Sequence, residues 1–347
     1  MSKRASNRLD RPVTRADVAR YAGVSTAVVS YVINSGPKTV APQTAARVRA
    51  AIERLDYQPN RSARALRTGT TEMLGLVLSD STNPYFVELA AAIEQAAARR
   101  AHALMVGNSR GDLTTERRLI NDLTRRQVDG LMVAILGRPD YAMAFHRLSV
   151  PTVWLDASEP VMGYSSVGSD GRQGAALGVS HLVEHGHTRI GLLTGELGTG
   201  DLREYGWRET LHSAGLPVGP VAQVSWTREG GLEGGLHLLS APDRPTAVFA
   251  SSDLLAVGLL RAARELGLRV PEDVAVVSFD GTKESPFAGP PLTVVRQDIE
   301  AMAEKAVALL LDRETEPSHH TFPTRLVIRQ SCGCPQPARG ARTDPPA

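Results

Sequence analysis

The 347 residues include only two cysteines, Cys332 and Cys334. Their spacing suits no ordinary disulfide, which argues against a disulfide-stapled secreted domain, and a lone C-x-C is a weak metal signal. The pair is expected to pack near the end of the fold. No apolar N-terminal segment and no run of about 18 apolar residues is present, which excludes a membrane-spanning helix and points to a cytoplasmic protein. No G-x-x-x-x-G-K-[ST] loop occurs, so a P-loop nucleotide hydrolase drops out. Acidic residues are scarce at one end. Residues 1–70 hold 13 Lys+Arg against 4 Asp+Glu, a charge of +9, and the remaining chain carries −7. A basic head on an acidic body implies that only the head meets a polyanion.

The basic head has an ordered pattern. Residues 17–34 read as two short helices joined at Gly23, with Val18, Ala19, Ala22, Val24, Val29, Val32 and Ile33 inward and Thr26, Ala27, Ser30 and Tyr31 outward. Thr14 stands at an N-cap position with Asp17 three residues on; Gly23 can end one helix in the left-handed conformation, and Ser25 can cap the next. A third helix over 42–55 offers Ala46, Val48, Ala51, Ile52 and Leu55 as its inner face. This is the helix-turn-helix pattern, whose second helix lies in the DNA major groove. Residues 1–12, with Lys3, Arg4, Arg8 and Arg11, have too few apolar groups to fold and are expected to form a disordered basic arm.

With the segment Tyr57-Gln58-Pro59-Asn60-Arg61-Ser62-Ala63-Arg64-Ala65-Leu66-Arg67, this head (13–58) resembles the lactose-repressor (LacI/GalR) family of bacterial transcription regulators, and the similarity runs on to about Cys332. The resemblance implies a sequence-specific DNA-binding regulator without cofactor or catalytic role: a homodimeric repressor of a sugar or other small-metabolite pathway, nucleoid-associated when bound to its operator. It implies base reading by Thr26, Ala27 and Tyr31, and phosphate contacts from Thr14, Ser25, Ser30, Asn34, Thr44 and Asn60. Tyr31 replaces a more usual arginine, so the operator half-site should depart from the common one. The resemblance also implies a hinge helix over 59–69 that inserts Leu66, with Ala63 beside it, into the minor groove at the operator centre. Such a segment is too short to hold a helix alone in water and should fold on DNA, where a leucine wedge favours a deformable pyrimidine–purine step.

After the hinge, β-prone apolar runs alternate with helical ones, the mark of doubly wound parallel sheets. By resemblance this α/β body, 73–334, is two-lobed like a periplasmic sugar-binding protein. Its first lobe is expected over about 73–167 and 293–320, its second over about 168–292 and 321–334, before a disordered tail, 335–347. The tail has no leucine heptad, so a dimer is expected rather than a tetramer.

Ligands of such folds sit beyond the carboxyl ends of strands. Asp156, Arg203 and Asp280 fall there, and by resemblance hold sugar hydroxyls, with Trp226 as an aromatic wall and Tyr85 and Phe86 lining the cleft. Ser252 replaces an asparagine that often contacts ligand in the family, which leaves the effector open. Asp170 and Asp253 precede helices and are assigned to capping or lobe contacts. A competing signal is the H-x-x-E-H run His181, Glu184 and His185, the pattern of a zinc hydrolase. With no obvious third ligand it is read as a helix end, with no metal. A corepressor-dependent regulator of non-sugar metabolism is the other alternative.

Overall fold

The computed structural model describes residues 13–34, 39–58, 65, 69–134, 148–157, 159–196, 201–312 and 316–334. The basic arm, the hinge residues Asn60, Ala63 and Leu66, and the tail lie outside these. The chain divides into two compact units, Met1–Thr71 and Glu72–Ala347.

The first unit contains α1 (Arg15–Ala22), α2 (Thr26–Asn34) and α3 (Pro42–Arg54). The amide and hydroxyl of Thr14 both donate to Asp17 Oδ2, at 3.0 and 2.6 Å, fixing the start of α1. Gly23 closes that helix at φ 64°, ψ 41°, and Ser25 Oγ accepts from Val28 N at 3.3 Å to open α2. Val18, Ala19, Ala22, Val29, Val48, Ala51 and Tyr57 form the core, with Val24, Val32, Ile33, Ile52 and Leu55 partly buried against it. On α3 the inner alanine is Ala45, not Ala46, which is exposed. The helix starts at Pro42, and its buried face runs through Ala45, Val48 and Ala51, leaving Ala46 about 100° off that line.

The second unit contains two six-stranded sheets. The first lobe has β1 (Met73–Leu78), α4 (Pro84–Arg99), β2 (Ala103–Asn108), α5 (Leu113–Arg125), β3 (Gly130–Ala134), β4 (Thr152–Leu155) and β5 (Ser165–Ser169). The second lobe has α6 (Gly171–Glu184), β6 (Ile190–Gly195), α7 (Leu202–Ser213), β7 (Val221–Val224), α8 (Arg228–Leu239), β8 (Ala247–Ala250), α9 (Asp253–Glu265), β9 (Ala275–Asp280) and β10 (Thr293–Arg296). The chain then returns through α10 (Ile299–Leu311) and β11 (His319–Phe322) to the first lobe and ends with β12 (Arg325–Val327) in the second. Strand order is β11-β5-β4-β3-β1-β2 in one sheet and β12-β10-β9-β8-β6-β7 in the other, all neighbours parallel except β10 and β12. Lobe boundaries expected at 293 and 321 therefore shift to about 297 and 323, because β10 pairs with β9 and β11 with β5.

The apolar runs become strands because both faces are covered. α4 and α10 bury Phe86, Leu89, Ile93, Met302 and Val307 on one face of the first sheet, while Ile120 and Leu123 of α5 cover the other. In the second lobe Trp207, Leu211 and Leu182 pack on one side, Leu255, Leu259 and Leu238 on the other. Loops at strand carboxyl ends are thereby held by two rigid layers.

Gly23→Val places a β-branched residue in the left-handed region and should cost about 1–2 kcal/mol. In urea, the helical signal of the first unit should be lost at lower denaturant while the midpoint of the second unit is unchanged; coincident shifts in both would count against independent units.

Candidate functional site

Four strand ends of the second unit converge where the chain passes between lobes. Asn83 Oδ1 accepts from Tyr85 N at 3.1 Å, starting α4 so that Tyr85, 3% exposed, faces inward. Its hydroxyl donates to Asp156 Oδ1 at 2.9 Å, just beyond β4. From the other lobe, Asp280 at the end of β9 is 4% exposed, and its Oδ1 accepts from Gln297 Nε2 at 2.9 Å. Gln297 Oε1 accepts from Ser169 Oγ at 2.5 Å and lies 3.4 Å from the Tyr85 hydroxyl. Asp156 and Asp280 both hold positive φ, 57° and 100°, a strained backbone for a non-glycine residue.

Arg203 enters from α7. Asp201 caps that helix by accepting from Arg203 N, and it also accepts from Arg203 Nε, both at 3.0 Å. Arg203 Nη1 donates to Ser251 O at 3.0 Å, and the guanidinium lies 5.0 Å from the Trp226 ring centre and 5.5 Å from that of Phe279. Trp226 reaches this place only because residue 195 is glycine; a Cβ there would stand 2.0 Å from the indole. Among the described residues, Arg203 Nη2 and the buried Trp226 Nε1 have no hydrogen-bond partner.

Burial dominates the electrostatics. It pushes the Asp156 carboxyl up, opposed by Arg203 and the Tyr85 hydrogen bond. Burial pushes Asp280 well above the carboxylate range, helped by the negative Asp253 and Asp156 and opposed by Arg203. The Tyr85 phenol is raised for the same reasons, burial first and then the nearby carboxylates. Burial works against the Arg203 charge, but Asp201, Asp156 and Asp280 together outweigh it and raise its pKa.

The structure brings Tyr85, Asp156, Arg203, Trp226 and Asp280 together. Phe86 is 1% exposed and faces the core of the first lobe, stacked edge-on with Tyr85 at 5.2 Å. The hydroxyl of Ser252, 2% exposed, accepts from Leu255 N at 3.2 Å and caps α9. Asp170 caps α6 through Gln173 N, and Asp253 accepts from Ser278 Oγ, Thr282 N and Thr282 Oγ1 at 2.5, 2.7 and 2.8 Å. Sequence reasoning missed Gln297, Asp201, Ser169 and Phe279. Gln297 follows β10 as Asp280 ends β9, so the strand-end rule applied to β10 finds it.

In the first unit Thr26 and Ala27 are exposed on α2, Tyr31 and Ser30 half-buried. Thr14 and Ser25 are exposed, Thr44 is half-buried, and Asn34 is the last residue of α2.

This architecture matches known proteins at both ends. Residues 14–60 match the model of bacterial regulatory proteins of the lacI family, and residues 179–332 that of a periplasmic binding protein-like domain. The HTH-type transcriptional repressor PurR of Pectobacterium carotovorum subsp. carotovorum (strain PC1) is 36% identical over 309 residues, spanning 87% of this chain and 90% of that protein. The chain belongs to the lacI family. Among solved structures, the Lac repressor dimer bound to operator and the anti-inducer ONPF superposes with TM-score 0.84 at 30% identity, over 92% of this chain and 99% of that one. A complex of the transcriptional regulator CelR with cellobiose gives TM-score 0.67 at 31% identity, over 92% and 100%. This lacI-family chain is thus a helix-turn-helix DNA-binding transcription regulator with an effector-binding type of body. Among its described residues no helix is long and apolar enough to cross a membrane.

Asp253 gives a pH signature. Burial raises its carboxyl to about 6, against the hydrogen bonds from Ser278 and Thr282. A raised folded-state pKa gives stability that is complete below the unfolded value and is lost as pH rises through about 6. Asp280 and Asp156 shift in the same direction. The melting temperature of the second unit should therefore fall as pH rises from about 4 to about 7, and Asp253→Asn should flatten that slope; an unchanged slope contradicts the assignment.

Proposed function

We propose that the protein is a homodimeric repressor whose two heads read a pseudo-palindromic operator and whose lobes close on a hydroxyl-rich small molecule, most simply a saccharide. The observation that carries this reading is the arrangement around Arg203. One guanidinium donor, Nη2, is unspent, two carboxylates from different lobes keep Oδ2 atoms without partners among the described residues, and aromatic rings stand beside them. Carboxylates and a forked guanidinium suit paired hydroxyls, and an aromatic ring covers the apolar face of a sugar. The cellobiose complex of CelR supports the same class of ligand. Thr26, Ala27 and Tyr31 would read bases, Thr14, Ser25, Ser30, Asn34, Thr44 and Asn60 would meet phosphates, and Leu66 with Ala63 would enter the minor groove.

The mechanism follows from where the ligand contacts lie. Tyr85 and Asp156 belong to one lobe, Arg203, Trp226 and Asp280 to the other. A ligand bridging them favours one lobe arrangement by the difference of its affinities, and that arrangement sets how the two hinge segments approach each other on DNA. Release by ligand fits a sugar effector; loading by ligand is the corepressor case.

Two measurements test this. In a thermal-shift panel of mono- and disaccharides and nucleobases, a saccharide should raise the melting temperature of the native protein and alter its affinity for an operator selected from random duplex DNA. Arg203→Met should lose both responses while still binding that operator. A nucleobase response without a saccharide response would overturn the sugar assignment. For the head, Leu66→Ala should weaken operator binding by at least about tenfold and leave nonspecific binding unchanged; equal affinity for the selected site would remove the minor-groove role.

A further inference from the structure

The end of α6 and the end of the described chain meet at a place that neither the lobe cleft nor the head uses. His181 and His185 lie one turn apart on the same helix face, their ring centres 4.6 Å apart. Cys334, 149 residues away from His185, sits on that face with its Sγ 3.1 Å from His185 Nε2 and 3.5 Å from His181 Nε2. All three donor atoms lie within 4.8 Å of one another. We propose that His181, His185 and Cys334 form a binding site for a zinc-class divalent ion, which ties the C-terminal segment to the end of α6.

Three observations carry this. The first is spacing. An ion at about 2.0–2.1 Å from imidazole nitrogen and about 2.3 Å from thiolate sulfur holds the two about 3.6 Å apart at a tetrahedral angle. The His181 distance already matches, and the exposed His185 ring has only to swing outward by about half an ångström. The second is chemistry. A thiol has one proton, which can serve only one of two imidazole nitrogens, whereas a cation satisfies both nitrogens and the sulfur together. An N2S set is borderline-soft and selects ions of the zinc class over magnesium or calcium, which demand oxygen ligands.

The third is preorganisation of the sulfur. Ser331 Oγ donates to Val276 O at 2.6 Å and accepts from Thr293 N at 2.8 Å, pinning the segment to β9 and β10. Cys332, 1% exposed, packs in the core with Thr293 Oγ1 3.1 Å from its sulfur. Gly333 then turns at φ 86°, a conformation L side chains rarely adopt, and returns Cys334 to the helix. Glu184 is exposed and is not one of the converging donors, so this triangle differs from the H-x-x-E-H hydrolase pattern. Three protein donors leave one tetrahedral position to be filled by water or by the Cys332 thiol, whose side chain is within hydrogen-bonding reach of His181 and Cys334. Loading replaces the Cys334 thiol proton by the ion and releases that proton to solvent.

Cobalt(II) added to the reduced full-length protein is the direct probe. One ion per chain should give the visible bands of a tetrahedral site and a thiolate-to-cobalt charge-transfer band, and zinc should bleach both. Cys334→Ser should abolish the charge-transfer band, His185→Gln should weaken binding by at least about a hundredfold, and Cys332→Ser should keep the band. Zinc should raise the melting temperature of the native protein by a few degrees and that of Cys334→Ser not at all, with metal-free Cys334→Ser and His185→Gln melting like the parent. No charge-transfer band, its survival in Cys334→Ser, or its loss in Cys332→Ser would overturn the site.

Discussion

One buried amide joins the lobes. Gln297, 4% exposed, donates from Nε2 to Asp280 of the second sheet and accepts at Oε1 from Ser169 at the end of the first. It sits on the second crossing between lobes, Ser169 on the first. On the third, Thr324 Oγ1 donates to Gln173 Oε1 at 2.7 Å. A rotation of the lobes that separates either partner of Gln297 leaves a buried polar group unsatisfied, at about 1–3 kcal/mol. Lobe rotation is therefore opposed by the loss of these bonds unless other partners replace them. A farther contact spans the same gap: Glu88 Oε1 on α4 accepts from Lys283 N at 2.7 Å.

The charges around that amide are unbalanced in a useful direction. One guanidinium faces Asp201, Asp156 and Asp280, and only Asp201 is in direct contact with it. Burial resists the charge of the other two, which therefore hold protons more readily than exposed carboxyls. An incoming hydroxyl that donates to either carboxylate relieves part of this desolvation, and one that accepts from Arg203 Nη2 uses a donor that is otherwise idle. For a ligand bound as proposed, binding energy would come from groups whose environment is poor without it, and from both lobes at once. That is the condition under which affinity differs between lobe arrangements.

The strands and helices of the second unit were legible because each carries a period that burial enforces, and the candidate site because carboxylates beyond strand ends could be sorted into helix caps, such as Asp170, and groups with no helix to cap. Asp156 and Asp280 were readable on those terms; Gln297 was overlooked because an amide after a strand carries no charge to draw attention. Lobe boundaries were off by a few residues where β10 and β11 end, since pairing partners, not local composition, decide which sheet a strand joins. The inner face of α3 was misphased at Ala46 because a run of small residues, Ala45 and Ala46, does not mark its own face. The triangle of His181, His185 and Cys334 was invisible as a unit. Its two halves were each weak signals, and only the turn at Gly333 brings them together.

In the head, local hydrogen bonds sort the hydroxyls that the family resemblance sends to phosphate. Ser25 Oγ accepts from Val28 N, which leaves its own proton free to donate outward, so capping α2 and meeting a phosphate oxygen are compatible. Thr14 is different. Its hydroxyl proton and its amide are both committed to Asp17 Oδ2, and that carboxylate would repel a phosphate brought alongside. A phosphate contact from the Thr14 hydroxyl would give up its bond to Asp17, a cost Ser25 does not incur, while the amide bond can stay in place. The proposed base readers differ in exposure: Thr26 and Ala27 are exposed on the first turn of α2, where a groove-bound helix meets base edges, while Tyr31 is half-buried. In the proposed reading a tyrosine at this place would offer one hydroxyl and a ring edge, which suit shape and methyl contacts better than the paired acceptors of guanine, the partners of an arginine or lysine.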